Sequence, residues 1–165
     1  MRKCLWMGAI LLLAVAVSGC SMFADPKTAD PKDFTLEELT ITLTDAFSDL
    51  EVEGATGAFQ SRDCSVFLIR EGLDRFENGS EMTIADYAER VQENNQMEVE
   101  IKTEGDLTYF ERSATTDGQT FNYYSVMYRA PEAFWLLQFA CESDDYEVYR
   151  PYFVSWAQSV TFAGA

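Results

Sequence analysis

Histidine is absent from all 165 residues of the chain. This absence excludes serine–histidine triads, cysteine–histidine dyads, imidazole ligation of metals and a histidine switch near neutral pH. The sequence also contains no G-x-G-x-x-G fingerprint, no P-loop and no C-x-x-C pair. Nucleotide binding and thioredoxin-like redox chemistry therefore have no support from the sequence.

Positive charge is scarce. Only 12 residues are Lys or Arg against 28 Asp or Glu, which gives a formal net charge of −16. Such a field repels phosphate backbones and anionic lipid surfaces, because nucleic-acid affinity depends on Lys and Arg displacing counterions. We therefore predict that nucleic acid is not a partner.

A long hydrophobic run is missing too, since the apolar segment at residues 5–17 is only thirteen residues long. Thirteen residues make about 20 Å of helix, which is short of the roughly 30 Å hydrocarbon core of a bilayer. With Arg2 and Lys3 before it and small residues after it, the segment is typical of an export signal. We expect residues 1–19 to be a signal peptide that is cleaved off.

The signal ends on "VSGC", residues 17–20, which resembles the bacterial lipobox. In lipoproteins that carry this motif the cysteine is lipidated and becomes the first residue of the mature chain. The resemblance implies that acyl chains such as palmitate on Cys20 hold the protein on the cell membrane or the outer membrane, outside the cytoplasm. The alternative is a secreted protein with an incidental cysteine at this position.

The mature chain begins with "CSMFADPKTADPKD", residues 20–33, in which an Ala-Asp-Pro-Lys unit occurs twice. Proline removes backbone donors and the charged residues keep the segment solvated, so we predict a flexible tether here. Residues 34–165 then have the size of one domain, large enough to bury a core without metals.

Two cysteines, Cys64 and Cys141, remain in this domain. An exported protein meets oxidising conditions, so the two residues are candidates for a disulfide that closes about 78 residues. Two buried thiols that behave as small hydrophobic side chains are the alternative, and spacing does not decide between them.

Most of the domain shows the alternation of β-strands. Leu39, Ile41 and Leu43 alternate with threonines, and further strands are predicted near residues 58–60 and 64–72, and at 97–104, 107–116, 119–129 and 134–141. Asp117-Gly118 predicts a two-residue hairpin that pairs Ala114 with Phe121. A helix is predicted from residue 84, with Thr83 as N-cap and Asp86 completing a capping box.

The C-terminal segment "SDDYEVYRPYFVSWAQSVTF" predicts a helix with Ser143 as its N-cap. Because proline disrupts a helix interior, we expect a short first turn and then a second helix with Pro151 near its first position. The order of elements predicts an α+β fold, with an antiparallel sheet of about six strands and helices on both faces.

This order, together with "FWLLQFACESDDYEVYRPYFVSWAQSVTF" at residues 134–162, resembles the PsbP-like and Mog-like domains of bacterial lipoproteins and their relatives. Ser159, Val160 and Phe162 match the ending that members of these families often share. The resemblance implies an α/β/α sandwich that is not an enzyme and that works by associating with larger complexes. It transfers no functional residue, because the matching positions are packing positions.

Four other possibilities concern individual sites or functions. Numerous carboxylates allow a hydrolase of envelope polymer that uses a carboxyl pair, or a weak calcium site, although no spacing matches a calcium loop. Tyr146 and Tyr152 are candidates for a surface that recognises a partner. A solute-capture accessory of a transporter would instead require a deep pocket. No metal ligand set and no cofactor are predicted.

Overall fold

The computed structural model describes residues 24–164, which form two antiparallel sheets and two α-helices. The predicted signal peptide, the lipobox and Cys20 lie outside the described residues. The α+β fold class is confirmed, and so is the presence of a helix on each face of an antiparallel sheet.

The larger sheet has seven strands and forms the centre of the domain. Its two edge strands are only two and three residues long. In spatial order the strands are β3 (Ser48–Asp49), β4 (Gly57–Gln60), β5 (Cys64–Gly72), β9 (Ala133–Glu142), β8 (Gln119–Arg129), β7 (Leu107–Thr116) and β6 (Lys102–Glu104).

The β7–β8 hairpin follows the prediction. Asp117 and Gly118 have φ angles of 51° and 83°, the left-handed values that a two-residue turn of this kind requires. The predicted pairing of Ala114 with Phe121 is the observed register. The predicted strand at 97–104 is shorter than expected, because only Lys102–Glu104 pairs with β7.

A second sheet of three strands was not anticipated. It contains β1 (Pro31–Leu36), β2 (Leu39–Thr44) and β10 (Thr161–Phe162), with β2 in the middle. The predicted sheet of about six strands corresponds to the seven-stranded sheet, and the three-stranded sheet is additional. The second sheet could not be predicted because β10 pairs with β2, which is distant in the sequence, and a two-residue strand has no periodicity to reveal it.

The same sheet shortens the predicted tether. Residues 31–33 belong to β1, and Asp30 accepts a backbone hydrogen bond of 2.8 Å from Asp45. Pro26 is buried, and its carbonyl accepts a 3.2 Å hydrogen bond from Thr44 Oγ1. The expectation of a flexible segment up to residue 33 is wrong for these residues, because they already pair with the folded domain.

Helix α1 (Ile84–Asn95) begins as predicted. The Thr83 side chain accepts from the Asp86 amide, and the Asp86 carboxylate accepts from the Thr83 amide at 2.8 Å. This capping box satisfies two backbone donors at the start of the helix. Tyr87, Ala88 and Val91 form the buried stripe that holds α1 on the large sheet.

Helix α2 (Tyr146–Gln158) differs from the prediction, because it runs without a break through Pro151. Proline costs the helix one hydrogen bond here. The buried stripe of Tyr149, Phe153 and Trp156 crosses the proline position and keeps both parts of the helix on the sheet. Ser143 does not cap α2. It lies in a short 3₁₀ helix, Ser143–Asp145, and its hydroxyl donates to Asn122 Oδ1 at 2.8 Å.

The two faces of the large sheet are covered differently. The face that we call the α2 face packs against α2 and the three-stranded sheet, and its central side chains include Tyr124, Trp135 and Phe139. The opposite face, the α1 face, packs against α1 through Phe110 and Phe134.

Candidate functional site

The structure places the two domain cysteines opposite each other. Cys64 and Cys141 are register partners on β5 and β9, and both are buried free thiols on the α2 face. Burial raises the pKa of each thiol to about 12, so neither is a reactive thiolate at neutral pH. The Cys64 thiol lies 3.2 Å from Ser61 Oγ.

Tyr146 is not a surface residue. Its side chain is buried on the α2 face, and its hydroxyl donates a 2.5 Å hydrogen bond to Glu111 Oε1. The expectation of a recognition residue at this position is therefore wrong. Tyr146 lies three residues before Tyr149 and seven before Phe153, and this helical spacing indicates burial of all three.

Tyr152 is half-buried, and its ring lies beside those of Tyr149 and Trp156. Of the two tyrosines predicted to recognise a partner, Tyr152 is the one with an accessible surface. Nearby on the same helix, Val148 is 54 % exposed.

Glu111 is the centre of a polar cluster that sequence reasoning missed. Its carboxylate accepts from Tyr146 and, at 2.8 Å, from Arg150 Nε, while Lys102 Nζ lies 3.4 Å from the other oxygen. Arg150 also donates to the Tyr109 hydroxyl at 3.2 Å. We call these five residues the Glu111 cluster. They come from β6, β7 and α2, so no local sequence signal joins them.

A second polar cluster fixes the start of the described chain. Lys27 Nζ pairs with Asp25 at 2.9 Å and donates to the Tyr149 hydroxyl at 2.8 Å. Tyr149 donates in turn to Asp63 Oδ2 at 2.7 Å, and Arg62 makes a two-pronged ion pair with the same carboxylate. We call Asp25, Lys27, Arg62, Asp63 and Tyr149 the N-terminal clasp.

In both clusters the central carboxylate has a lowered pKa and is ionised at neutral pH. Hydrogen bonds from Arg62 and Tyr149 lower the pKa of Asp63. Burial raises the pKa of Glu111, but hydrogen bonds from Tyr146 and Arg150 outweigh it and leave the pKa lowered. Among residues 24–164, every carboxyl group with a resolved shift has a lowered pKa: Asp25, Glu38, Asp63, Asp86 and Glu111.

Two of the grooves on the surface of residues 24–164 are large enough to be considered for a ligand, and both are open to solvent. A groove of about 410 Å³ between β1 and β4 is lined largely by apolar side chains, including Phe34, Leu50 and Phe59. A polar groove of about 360 Å³ runs along α1, where Asp86, Glu89 and Glu93 line it.

The described part of the chain contains no group of three or more Cys, Asp or Glu side chains placed to hold a metal ion. Within the same residues, no helix has the length and apolar character that a membrane span requires.

The two sheets and the two helices define an α+β domain with a PsbP-like fold. The solution structure of CyanoP, the cyanobacterial PsbP of Synechocystis, matches with a TM-score of 0.55 and 12 % identity over 87 % of this chain and 97 % of that protein. A crystal structure from Bacteroides thetaiotaomicron matches with a TM-score of 0.53 and 10 % identity, over 79 % of this chain and 48 % of the other.

A weaker match is LpqN, a Mycobacterium tuberculosis protein involved in cell envelope biogenesis. Its TM-score is 0.44 and its identity 15 %, over 80 % of this chain and 90 % of that one. No protein-family model and no curated protein matches the sequence. At these identities the likeness concerns the fold alone.

Proposed function

We propose that the protein is a bacterial lipoprotein, anchored outside the cytoplasm through an acylated Cys20, whose PsbP-like domain acts by binding a protein or envelope partner. The observation that carries the binding half of this proposal is the state of the polar groups in the domain. The Glu111 carboxylate accepts hydrogen bonds from Tyr146 and Arg150. The Asp63 carboxylate, in a separate cluster, accepts from Tyr149 and Arg62. In these contacts the two carboxylates stabilise the fold, which supports a binding role over acid–base chemistry.

The hydrolase alternative lacks such support. A carboxyl-pair hydrolase requires one acid whose pKa is raised, so that it is protonated at working pH. Asp86 in the polar groove is held ionised by the Thr83 amide, which lowers its pKa. No specific observation favours a hydrolase over a binding domain.

The anchoring half rests on the sequence, with support from the fold. Only four residue steps separate Cys20 from Ala24, a reach of at most about 14 Å. Lys27 and Asp25 are fixed to the body of the domain by the N-terminal clasp. An acyl group on Cys20 would therefore hold the domain close to the bilayer surface, where a partner in the same membrane is within reach.

Metabolic labelling with an alkyne fatty acid tests the anchor. The wild-type protein, expressed in a bacterium that processes lipoproteins, should carry the label and sediment with membranes. Cys20→Ala should lose both the label and the membrane fraction, whereas Ser21→Ala, a change at the neighbouring position, should keep them. A wild-type protein that is released into the medium without label contradicts the proposal.

Crosslinking in intact envelopes tests the binding role. The acylated protein should yield one reproducible crosslinked partner, and Cys20→Ala should reduce that product because the domain is no longer concentrated at the membrane. Cleavage of envelope polymer by the purified mature protein would instead favour the hydrolase.

A further inference from the structure

Cys64 and Cys141 occupy matched positions on the two central strands of the large sheet. They pair in register near one end of the β5–β9 ladder, and both side chains point to the α2 face. Only 3 % of Cys64 and 2 % of Cys141 is exposed. The fold therefore brings together two thiols that are 77 positions apart in the sequence.

The backbone hydrogen bonds fix the type of this pair. The Cys64 carbonyl accepts from the Ser61 amide at 2.9 Å, and the Cys64 amide donates to Ser61 Oγ at 3.2 Å. Both groups point towards β4, so Cys64 makes no backbone hydrogen bond to Cys141. In such a non-hydrogen-bonded antiparallel pair the Cα atoms lie about 4.5 Å apart and the side chains approach closely. That separation lies within the range of about 4.4 to 6.8 Å that a disulfide spans.

We propose that Cys64 and Cys141 are joined by a disulfide in the exported protein. The oxidant is a disulfide of an extracytoplasmic dithiol oxidase. One cysteine thiolate attacks that disulfide and forms a mixed disulfide with the oxidase. The second cysteine thiolate attacks the sulfur of the first and breaks its bond to the oxidase, which leaves as a dithiol that holds the two protons and two electrons. The inference rests on the proposed extracytoplasmic location, because the cytoplasm keeps such thiols reduced.

The exchange takes place before the domain is complete. Folded Cys64 and Cys141 are inaccessible, and burial keeps both thiols protonated. The attacking species is a thiolate that must reach the oxidase. The disulfide is therefore formed while β9 joins β5, and it becomes buried as α2 packs over that end of the sheet.

Refolding decides whether the geometry permits the bond. The mature chain with Cys20→Ser, which retains only these two thiols, is refolded in a glutathione redox buffer and then alkylated in denaturant. The expected product carries no alkyl group and yields a linked peptide pair that contains Cys64 and Cys141. The matched variant Cys20→Ser with Cys141→Ser should lack that linked pair. Two alkyl groups on the refolded two-thiol protein would overturn the inference.

Stability provides a second readout. Closing a loop of about 78 residues should raise the folding equilibrium constant roughly a thousandfold over the reduced protein, measured by urea unfolding with and without reductant. An unchanged unfolding midpoint in the linked protein would contradict a bond between well-positioned strands. Protein taken from the envelope and alkylated at once tests whether the bond is present in the exported protein. Two free thiols in that protein would overturn the proposed disulfide even if the refolded protein is linked, whereas fatty-acid labelling tests the anchor independently.

Discussion

The two faces of the large sheet bury side chains in different ways. The α2 face has one continuous apolar cluster, covered by α2 and the three-stranded sheet. The α1 face has two separate clusters, one beneath α1 and one around Phe67 and Tyr123. Among residues 24–164, only Leu50, Val52 and Ala114 add partial cover to the second cluster. Buried polar side chains also lie on this face: Ser65, Ser125 and Gln138.

The two faces also differ in whether their arginine side chains have hydrogen-bond partners. On the α2 face Arg150 is paired with Glu111 and bonded to Tyr109. On the α1 face Arg112 stacks on the Tyr123 ring at 4.2 Å, and its Nε and Nη2 atoms are buried without a hydrogen-bond partner among residues 24–164. Burial lowers the pKa of Arg112. We therefore predict that the α2 face contributes more to the stability of the domain than the α1 face does.

The largest expected effect tests the α2 core. Phe153→Ala removes a side chain with no exposed surface from the middle of α2. We expect a loss of about 3 to 5 kcal/mol in the free energy of unfolding, because a cavity remains where the ring packed on Phe139. Val148→Ala on the exposed side of the same helix is the control and should cost less than about 0.5 kcal/mol. Equal losses in urea unfolding would show that α2 is not anchored through this face.

The second prediction compares the two arginines directly. Arg150→Met leaves the Glu111 carboxylate without its closest cation, and we expect it to cost about 1.5 to 3 kcal/mol. Arg112→Met keeps the length of the side chain and removes two unsatisfied donors, so it should change stability by less than about 1 kcal/mol and in the stabilising direction.

Chemical denaturation of both variants measures the difference. If Arg112→Met were the more damaging of the two, the guanidinium on the α1 face would have a partner in solution, and the contrast between the faces would fail.

The sequence predicted the elements with local chemistry and missed those made by distant pairing. Thr83 and Asp86 lie three residues apart, so the start of α1 could be read directly, as could the turn at Asp117-Gly118. The pairing of β10 with β2 has no such signature. Neither does the Glu111 cluster, whose members become neighbours only when β6, β7 and α2 assemble.

The outcome at Tyr146 and Pro151 likewise depends on contacts between distant parts of the chain. The burial of Tyr146 was within reach of the helical spacing, but the carboxylate that accepts from its hydroxyl lies 35 residues away in the sequence. The continuity of α2 through Pro151 depended on tertiary packing, which outweighs one lost hydrogen bond.

A third prediction concerns two tyrosines of the α2 face that differ in one hydrogen bond. Tyr146→Phe removes a donor to the Glu111 carboxylate and should cost about 1 to 2 kcal/mol. The Tyr124 hydroxyl is buried without a partner among the described residues, so Tyr124→Phe should be neutral or slightly stabilising. Thermal unfolding at pH 7 compares the two single-atom deletions. Equal losses would mean that the Tyr124 hydroxyl is satisfied, for instance by a buried water molecule.

The smallest expected effect is the pH dependence that the N-terminal clasp contributes. Hydrogen bonds from Arg62 and Tyr149 lower the folded-state pKa of Asp63 below its ordinary value of 3.8. The unfolded chain therefore binds a proton more readily in acid than the folded protein does. The stabilisation is fully present above the unfolded-state pKa, and it is lost as the pH falls through the folded-state pKa.

Asp63→Asn should accordingly reduce the dependence of unfolding free energy on pH below about 4, relative to the wild-type protein. Tyr149→Phe removes one of the hydrogen bonds to the carboxylate and should give an intermediate slope. Urea unfolding measured between pH 2 and pH 7 separates the three proteins. An unchanged slope in Asp63→Asn would mean that the hydrogen bonds from Arg62 and Tyr149 do not lower the pKa of Asp63 in the folded protein.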